Sequence, residues 1–296
     1  MVCAHWSPGA PPWARGSVAA PDGSGPKAAG AAARVGGIGG VGLARGTGRA
    51  ASNPGAACCS PAAMDMTEVL PDLHLLRFPF GHVYLWRDAD AVTLIDTSVA
   101  GSAPAIAEGL RRLGRRPGDV RRVVLTHHHQ DHAGSAAEIA AWGEAEVLAH
   151  RDDAPVVRGE RPGAPPDFSD APAWERELFE NLPSLPPAPP CPVHRALVDG
   201  DVLDFAGGAV VVGAPGHTDG SIALHLPGPR VLVTGDAVAG ADGRAILGVF
   251  NTDRARAIAS LRRLAGLDVD VACFGHGEPV VGGAASALRD AAERAA

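Results

Sequence analysis

Val123-Val124-Leu125-Thr126-His127-His128-His129-Gln130-Asp131-His132-Ala133-Gly134 is the stretch on which the reading of this chain turns. An apolar run ends in four imidazoles and a carboxylate, a composition that suits neither a core nor a solvated face. In an extended segment side chains two apart share a side, so His127 and His129 can grip one cation while His128 faces away. Asp131 and His132 fall where the chain turns into a predicted helix, and there they can present two further ligands. Neutral imidazole and carboxylate suit zinc, iron or manganese rather than calcium. The blander alternative is a histidine-rich surface loop without metal, but such a loop has no need of this spacing directly after a buried strand.

Upstream, residues 1–63 are mostly Ala, Gly, Pro, Ser and Arg and lack the apolar periodicity that a core requires. They hold neither the apolar run of a secretory signal nor a bilayer-length span, and no later stretch is long enough to span one. This leader carries Arg15, Lys27, Arg34, Arg45 and Arg49 against the single acid Asp22, a balance that transit peptides share. Lys27 is the chain's one lysine, an arginine bias expected of G+C-rich coding sequence, so natural translation is expected to start at Met64 or Met66. Peptides from residues 1–60 in the mature protein would contradict that.

The whole chain has net charge -7, and the part after the basic leader is more acidic still. That argues against a phosphate-backbone partner, and neither nucleic acid nor membrane is expected as a partner. Cys3, Cys58 and Cys59 lie in the leader, Cys191 in a Pro-rich loop and Cys273 in an apolar strand, with no Cys-x-x-Cys pair. This usage fits a reducing, cytoplasmic setting and indicates neither a disulfide framework nor a thiolate metal site. Cys273 reads as a small core residue.

Residues 64–296 read as one α/β domain. Strands are predicted at 73–78, 83–87, 91–95, a run ending at 125, 146–149, 202–205, 209–212, 222–226, 231–233 and 269–274, and helices at 103–113, 135–142, 252–264 and 284–295. Between them, residues 151–194 form a long insertion, Pro-rich at both ends around a helical stretch at 173–181.

Three further stretches complete a pattern: Ala214-Pro215-Gly216-His217-Thr218, Thr234-Gly235-Asp236-Ala237 and Gly275-His276-Gly277, with Leu94-Ile95-Asp96-Thr97 closing an early strand. Together with His-x-His-x-Asp-His they follow strand-like runs, in an order that resembles the metallo-β-lactamase superfamily, in particular its glyoxalase II-like hydrolases. The resemblance covers about residues 68–296. It implies a four-layer αββα sandwich with metals where the loops of two sheets converge. It also implies one metal site of His127, His129 and His217, a second of Asp131, His132 and His276, and Asp236 bridging them. Asp131 would orient a metal-bridging hydroxide and pass a proton to the leaving group, and Asp96 would support a ligand from behind.

The implied cofactors are two divalent metal ions, zinc foremost, with iron or manganese accepted by the same donors. The implied activity is hydrolysis of a small-molecule ester, thioester or lactone. Asp236 argues against a true β-lactamase, which lacks the bridging aspartate. Ala239, three residues after that bridge, replaces a Tyr usual in acyl-homoserine lactonases, and the chain ends too soon after His276 for the helical glutathione-binding extension of hydroxyacylglutathione hydrolases. His82 replaces a frequent Asn two before a Tyr, and with His5, His74, His150, His194 and His225 it reads as structural or exposed. The rivals are a mononuclear iron persulfide dioxygenase using His127, His217 and Asp236, a nucleic-acid-processing nuclease, and a non-catalytic binding protein. In the insertion, Phe168, Trp174 and Phe179 are expected to wall a substrate pocket as a lid, with Phe250 and Asn251 as further substrate contacts.

Overall fold

Period-two alternation along the strands determines the layers, because each strand sends successive side chains to opposite faces. The computed structural model describes residues 64–143 and 145–295; the leader expected at 1–63 lies outside the described residues. The first sheet has seven strands in sequence order: β1 Asp65–Leu70, β2 Leu73–Arg77, β3 Val83–Arg87, β4 Val92–Ile95, β5 Val120–Val124, β6 Glu146–His150 and β7 Arg195–Leu197. Strands β1 to β4 form an antiparallel meander, and β4 to β7 run parallel.

The second sheet is built from β8 Val202–Leu203, β9 Ala209–Gly213, β10 Ile222–Leu226, β11 Val231–Val233, β14 Val271–Cys273 and β15 Val280–Val281, in the order β15-β14-β11-β10-β9-β8. A separate hairpin pairs β12 Val238–Ala241 with β13 Arg244–Leu247. The α-helices are α1 Ala103–Arg112, α2 Gln130–Ala133, α3 Ala136–Ala140, α4 Ala154–Val157, α5 Ala173–Glu180, α6 Arg254–Leu264 and α7 Ala284–Arg294.

Three cores result. Leu75, Tyr84, Ile95 and Val124 of the first sheet meet Val211, Leu224, Val233 and Cys273 of the second between the sheets. The alternate residues Leu76, Leu85, Leu94 and Val123 face outward onto Ile106 and Leu110 of α1 and onto Ile139 of α3. Val212, Ala223, Leu232 and Ala272 likewise face Leu261 of α6 and Leu288 of α7. Helices, sheet, sheet and helices therefore stack in four layers, the αββα order that the family resemblance implied.

Strands buried on both faces read as unbroken apolar runs, so they are easily found in the sequence. The differences lie where burial is partial. Strand β1 carries Asp65, Thr67 and Glu68 and keeps an exposed edge, which hides its apolar signal. The hairpin β12–β13 is likewise half-exposed. Helix α6 begins two residues later than expected because Asp253 caps it, accepting the Arg256 N–H at 2.9 Å. Among the described residues no helix is long and apolar enough to cross a membrane.

Topology also orients the strand ends. Strands β4 and β5 are parallel, and β9, β11 and β14 run in a common direction, since β10 is antiparallel to both β9 and β11 while β11 is parallel to β14. Asp96, His127, His217, Asp236 and His276 all come just after the carboxyl ends of these strands. Tyr84 fixes one of those ends across the inter-sheet core: its hydroxyl donates to Phe274 O at 2.9 Å and accepts the Phe274 N–H at 3.1 Å, immediately before Gly275-His276. Replacing Tyr84→Phe leaves both backbone groups of Phe274 buried without that partner. Chemical denaturation is expected to show a loss of about 1–3 kcal/mol, and an unchanged midpoint would show that the hydroxyl does not hold this strand end.

Candidate metal centre

The motif loop leaves β5 at Thr126, whose carbonyl accepts the Ile222 N–H at 2.9 Å and so joins the two sheets at the site. Asp96 lies beneath it with a positive φ of 62° and 3% exposure. Its Oδ1 accepts the Thr126 N–H at 2.7 Å, and its Oδ2 accepts the Thr126 Oγ1–H at 2.7 Å and a bond from His132 Nδ1 at 2.9 Å. Thr97 adds a second support, donating both its N–H and its hydroxyl to His132 O at 2.7 Å.

These partners fix the tautomers. Thr126 Oγ1 spends its proton on Asp96, so it accepts from His127 Nδ1 at 3.1 Å. Val249 O accepts from His217 Nδ1 at 3.0 Å. Both rings therefore present a bare Nε2, and these meet His129 Nδ1 at 3.1 Å and 2.9 Å. One proton on His129 cannot serve both neighbours fully, whereas a cation at their centre would take all three lone pairs. Burial, reinforced by the neighbouring imidazoles, holds His127 well below the usual histidine range, pushes His129 down to about 3 and lowers His217. Neutral rings are what a metal needs.

A second group adjoins the first. His276 Nε2 lies 3.2 Å from Asp131 Oδ2 and 3.4 Å from His132 Nε2. Asp236 sits between the groups: its Oδ2 is 3.7 Å from His217 Nε2, 4.0 Å from His127 Nε2 and 3.3 Å from His276 Nε2, while its Oδ1 is 3.3 Å from His132 Nε2. That Oδ1 is buried and makes no hydrogen bond among the described residues. Burial alone would lower His132, but Asp236, Asp131 and Asp96 together raise it well above the usual range. The same negative field would hold a metal cation. Backbone closeness is part of the design, because a Cβ on Gly275 would stand 2.0 Å from Asp236 Oδ1.

The donor set fits a metal. His127, His129 and His217 form one group of ligand atoms within 4.8 Å of one another, Asp131, His132 and His276 a second, and His127, His132 and Asp236 a third that overlaps both. The floor is buried, with side-chain exposures of 1% for His127, 0% for His132 and 2% for His217, and it opens to solvent at His276, which is 43% exposed.

The remaining sequence expectations divide. His128 stands outside the three ligand groups, its Nδ1 3.0 Å from Asp153 Oδ2. Phe179, on helix α5, lies 5.3 Å from the ring of Phe168 and 5.3 Å from that of Phe250. Trp174 is half-buried on the same helix. Asn251 is placed differently from the expected substrate contact: it is 3% exposed, its Nδ2 donates to Gly248 O at 2.7 Å and its backbone carbonyl accepts the Asp167 N–H at 2.9 Å. It holds the loop rather than facing solvent. The insertion is further tied down by Glu175, 3% exposed and paired with Arg254 at 2.6 Å.

Two residues support the ligands from outside the donor groups: His82, which the sequence reading left as structural or exposed, and Asp153, which it did not single out. His82 brackets His276, its N–H donating to Gly275 O at 2.9 Å and its Nε2 to Gly277 O at 3.0 Å; burial, then the nearby His276, pushes its pKa down to about 4. Asp153 joins two ligand loops. Its only signal is an acid just past strand β6, which Asp152 shares.

Residues 76–276 match the profile of the Metallo-beta-lactamase superfamily. The probable metallo-hydrolase YflN of Bacillus subtilis is 28% identical, over 73% of this chain and 87% of its own length. A hydroxyacylglutathione hydrolase of Fuscovulum blasticum is 33% identical over 59% of this chain, which spans 55% of that enzyme. Among solved structures, the metallo-beta-lactamase family protein TTHA1429 of Thermus thermophilus superposes with a TM-score of 0.57 at 29% identity, covering 76% of this chain and 78% of that one. The profile match, the four-layer fold and the clustered donors agree, and the chain belongs to the metallo-beta-lactamase superfamily.

Proposed function

We propose that this protein is a dinuclear metal-dependent hydrolase of a small ester, thioester or lactone. The observation that carries the reading is the convergence of two donor groups on either side of Asp236. His127, His129 and His217 would hold one divalent ion, zinc foremost, and Asp131, His132 and His276 a second, with Asp236 shared. Such ions polarise a carbonyl and bring the pKa of water towards neutrality.

The chain's own groups do the rest. Asp131, despite burial, is held well below the usual carboxylate range by His132 and His276, so it is an ionised acceptor that can orient an attacking water. Asp96 and Thr126 keep His132 and His127 turned so that each offers Nε2. The rings of Phe168, Phe179 and Phe250 border the loop whose Val249 carbonyl holds His217, and they offer an apolar wall to an acyl group. The relatives named metallo-hydrolase and hydroxyacylglutathione hydrolase support ester or thioester chemistry.

Elemental analysis of the purified protein is expected to give two transition-metal ions per chain. Chelation should abolish thioester hydrolysis and added metal restore it. A single tightly held iron, with oxygen consumed in the presence of a persulfide, would instead indicate the dioxygenase chemistry of this fold. Asp236→Ala removes the charge common to both donor groups and should cut kcat/KM at least ~10- to 100-fold; retained activity would contradict the shared role.

Asp96→Asn is a narrower test, because Asn tolerates the left-handed backbone at this position. Chelator competition is expected to show metal affinity reduced ~10- to 100-fold, and an unchanged affinity would remove Asp96 from the ligand support.

For the aromatic wall, Phe179→Ala should raise KM for acyl substrates about two- to tenfold, matching the ~0.5–1.5 kcal/mol of an aromatic contact, with metal content unaltered. Unchanged kinetics on every acyl chain length would move specificity elsewhere.

A further inference from the structure

The short helix α4 opens the insertion, and Asp153 occupies its N-cap. An aspartate there ordinarily accepts a backbone N–H of its own first turn. This one makes no side-chain cap bond. Its carboxylate, 2% exposed, is turned the other way, towards the metal-ligand loops.

Each oxygen has a defined use there. Oδ2 accepts the His128 N–H at 2.9 Å and the Thr218 Oγ1–H at 2.8 Å, and Oδ1 accepts the Gly220 N–H at 2.9 Å. The imidazole of His128 adds a contact, Nδ1 to Oδ2, at 3.0 Å. The Thr218 hydroxyl is kept free to donate, because Ser221 Oγ lies 2.8 Å away and can supply a proton in return. The approach is close: a Cβ on Gly220 would stand 2.6 Å from both the backbone N and the Oδ1 of Asp153.

The position of these donors gives the contact its meaning. His128 lies between His127 and His129, whose loop leaves the first sheet, while Thr218 follows His217, whose loop belongs to the second. The separation of His217 from the other two imidazoles is therefore a relation between two sheets. One buried carboxylate bonds to both loops at once.

We propose that Asp153 is a positioning residue that holds the His127–His129 loop against the His217 loop and thereby sets the metal affinity of that triad. Asp153 lies near the start of the insertion, so the same carboxylate anchors the chain where it leaves β6 for the segment that carries the aromatic wall. A carboxylate suits this use better than an amide, since three donors converge on it and an asparagine would point its NH2 at one of them.

The inference rests on the reading of His127, His129 and His217 as ligands, and the test separates the two. Zn2+ affinity would be measured by chelator competition on the whole chain for wild type, Asp153→Asn and Thr218→Val, together with thermal unfolding of each metal-free protein and the visible spectrum of each Co2+-substituted one. The expected result is a folded Asp153→Asn protein with Zn2+ affinity lowered ~10- to 100-fold and a shifted Co2+ spectrum. Thr218→Val, which removes one donor, should move both readouts in the same direction by less.

Zn2+ affinity and Co2+ spectrum unchanged in Asp153→Asn, even with a lower melting temperature, would overturn the proposal and leave the carboxylate a purely structural group. If Asp153→Asn does not fold, Thr218→Val decides: unaltered affinity and spectrum there overturn it. A wild-type chain that takes up no Zn2+ would sink the ligand reading, and this proposal with it.

Discussion

Two imidazole nitrogens, His127 Nε2 and His217 Nε2, stripped of protons by their other partners, both lie about 3 Å from His129 Nδ1, an arrangement that internal hydrogen bonds cannot satisfy. Mutual repulsion of lone pairs would spread them unless something rigid holds the rings or something positive binds between them. The fold supplies the first. Thr126 and Val249 fix His127 and His217 from behind, Asp96 and Thr97 fix His132 and its loop, and the backbone of His82 reaches Gly275 beside His276. Every one of these supports belongs to the edge where the carboxyl ends of parallel strands meet.

That edge explains why the sandwich matters to the chemistry. The inter-sheet core, with Tyr84 and Leu224 at its centre, sets the distance between loops of different sheets. Core side chains are close-packed, so this distance is held stiffly. Burial also tunes the donors: the imidazoles of the first group are kept neutral, while the carboxylates of the second concentrate negative charge around His132. The insertion lies above this base, fastened by Glu175 to Arg254 and by Asp167 to Asn251, and its Phe179 meets Phe250 next to the residue that supports His217.

Much of this could be read from the sequence, for identifiable reasons. Strands such as Ile222–Leu226 are buried on both sides and announce themselves as apolar runs, and the site motifs are local in sequence. The half-exposed strands Asp65–Leu70 and Val238–Ala241 lack that signal. Asp153 could not be singled out, and His82 could be read only as structural or exposed, because their roles are long-range: Asp153 meets Thr218 across 65 residues, and His82 meets Gly277 across 195. Asn251, expected from the sequence to contact substrate, is instead buried, its side-chain NH2 and its backbone carbonyl both bonded to loop backbone, a placement that depends on contacts distant in sequence.

The proposed hydrolase needs two metal positions, one on either side of Asp236. Anomalous diffraction from crystals grown with zinc tests it most directly. Two peaks per chain are expected, one enclosed by His127, His129 and His217 and the other by Asp131, His132 and His276, with the Asp236 carboxylate between them. A single peak, or zinc held anywhere that leaves Asp236 unligated, would contradict it.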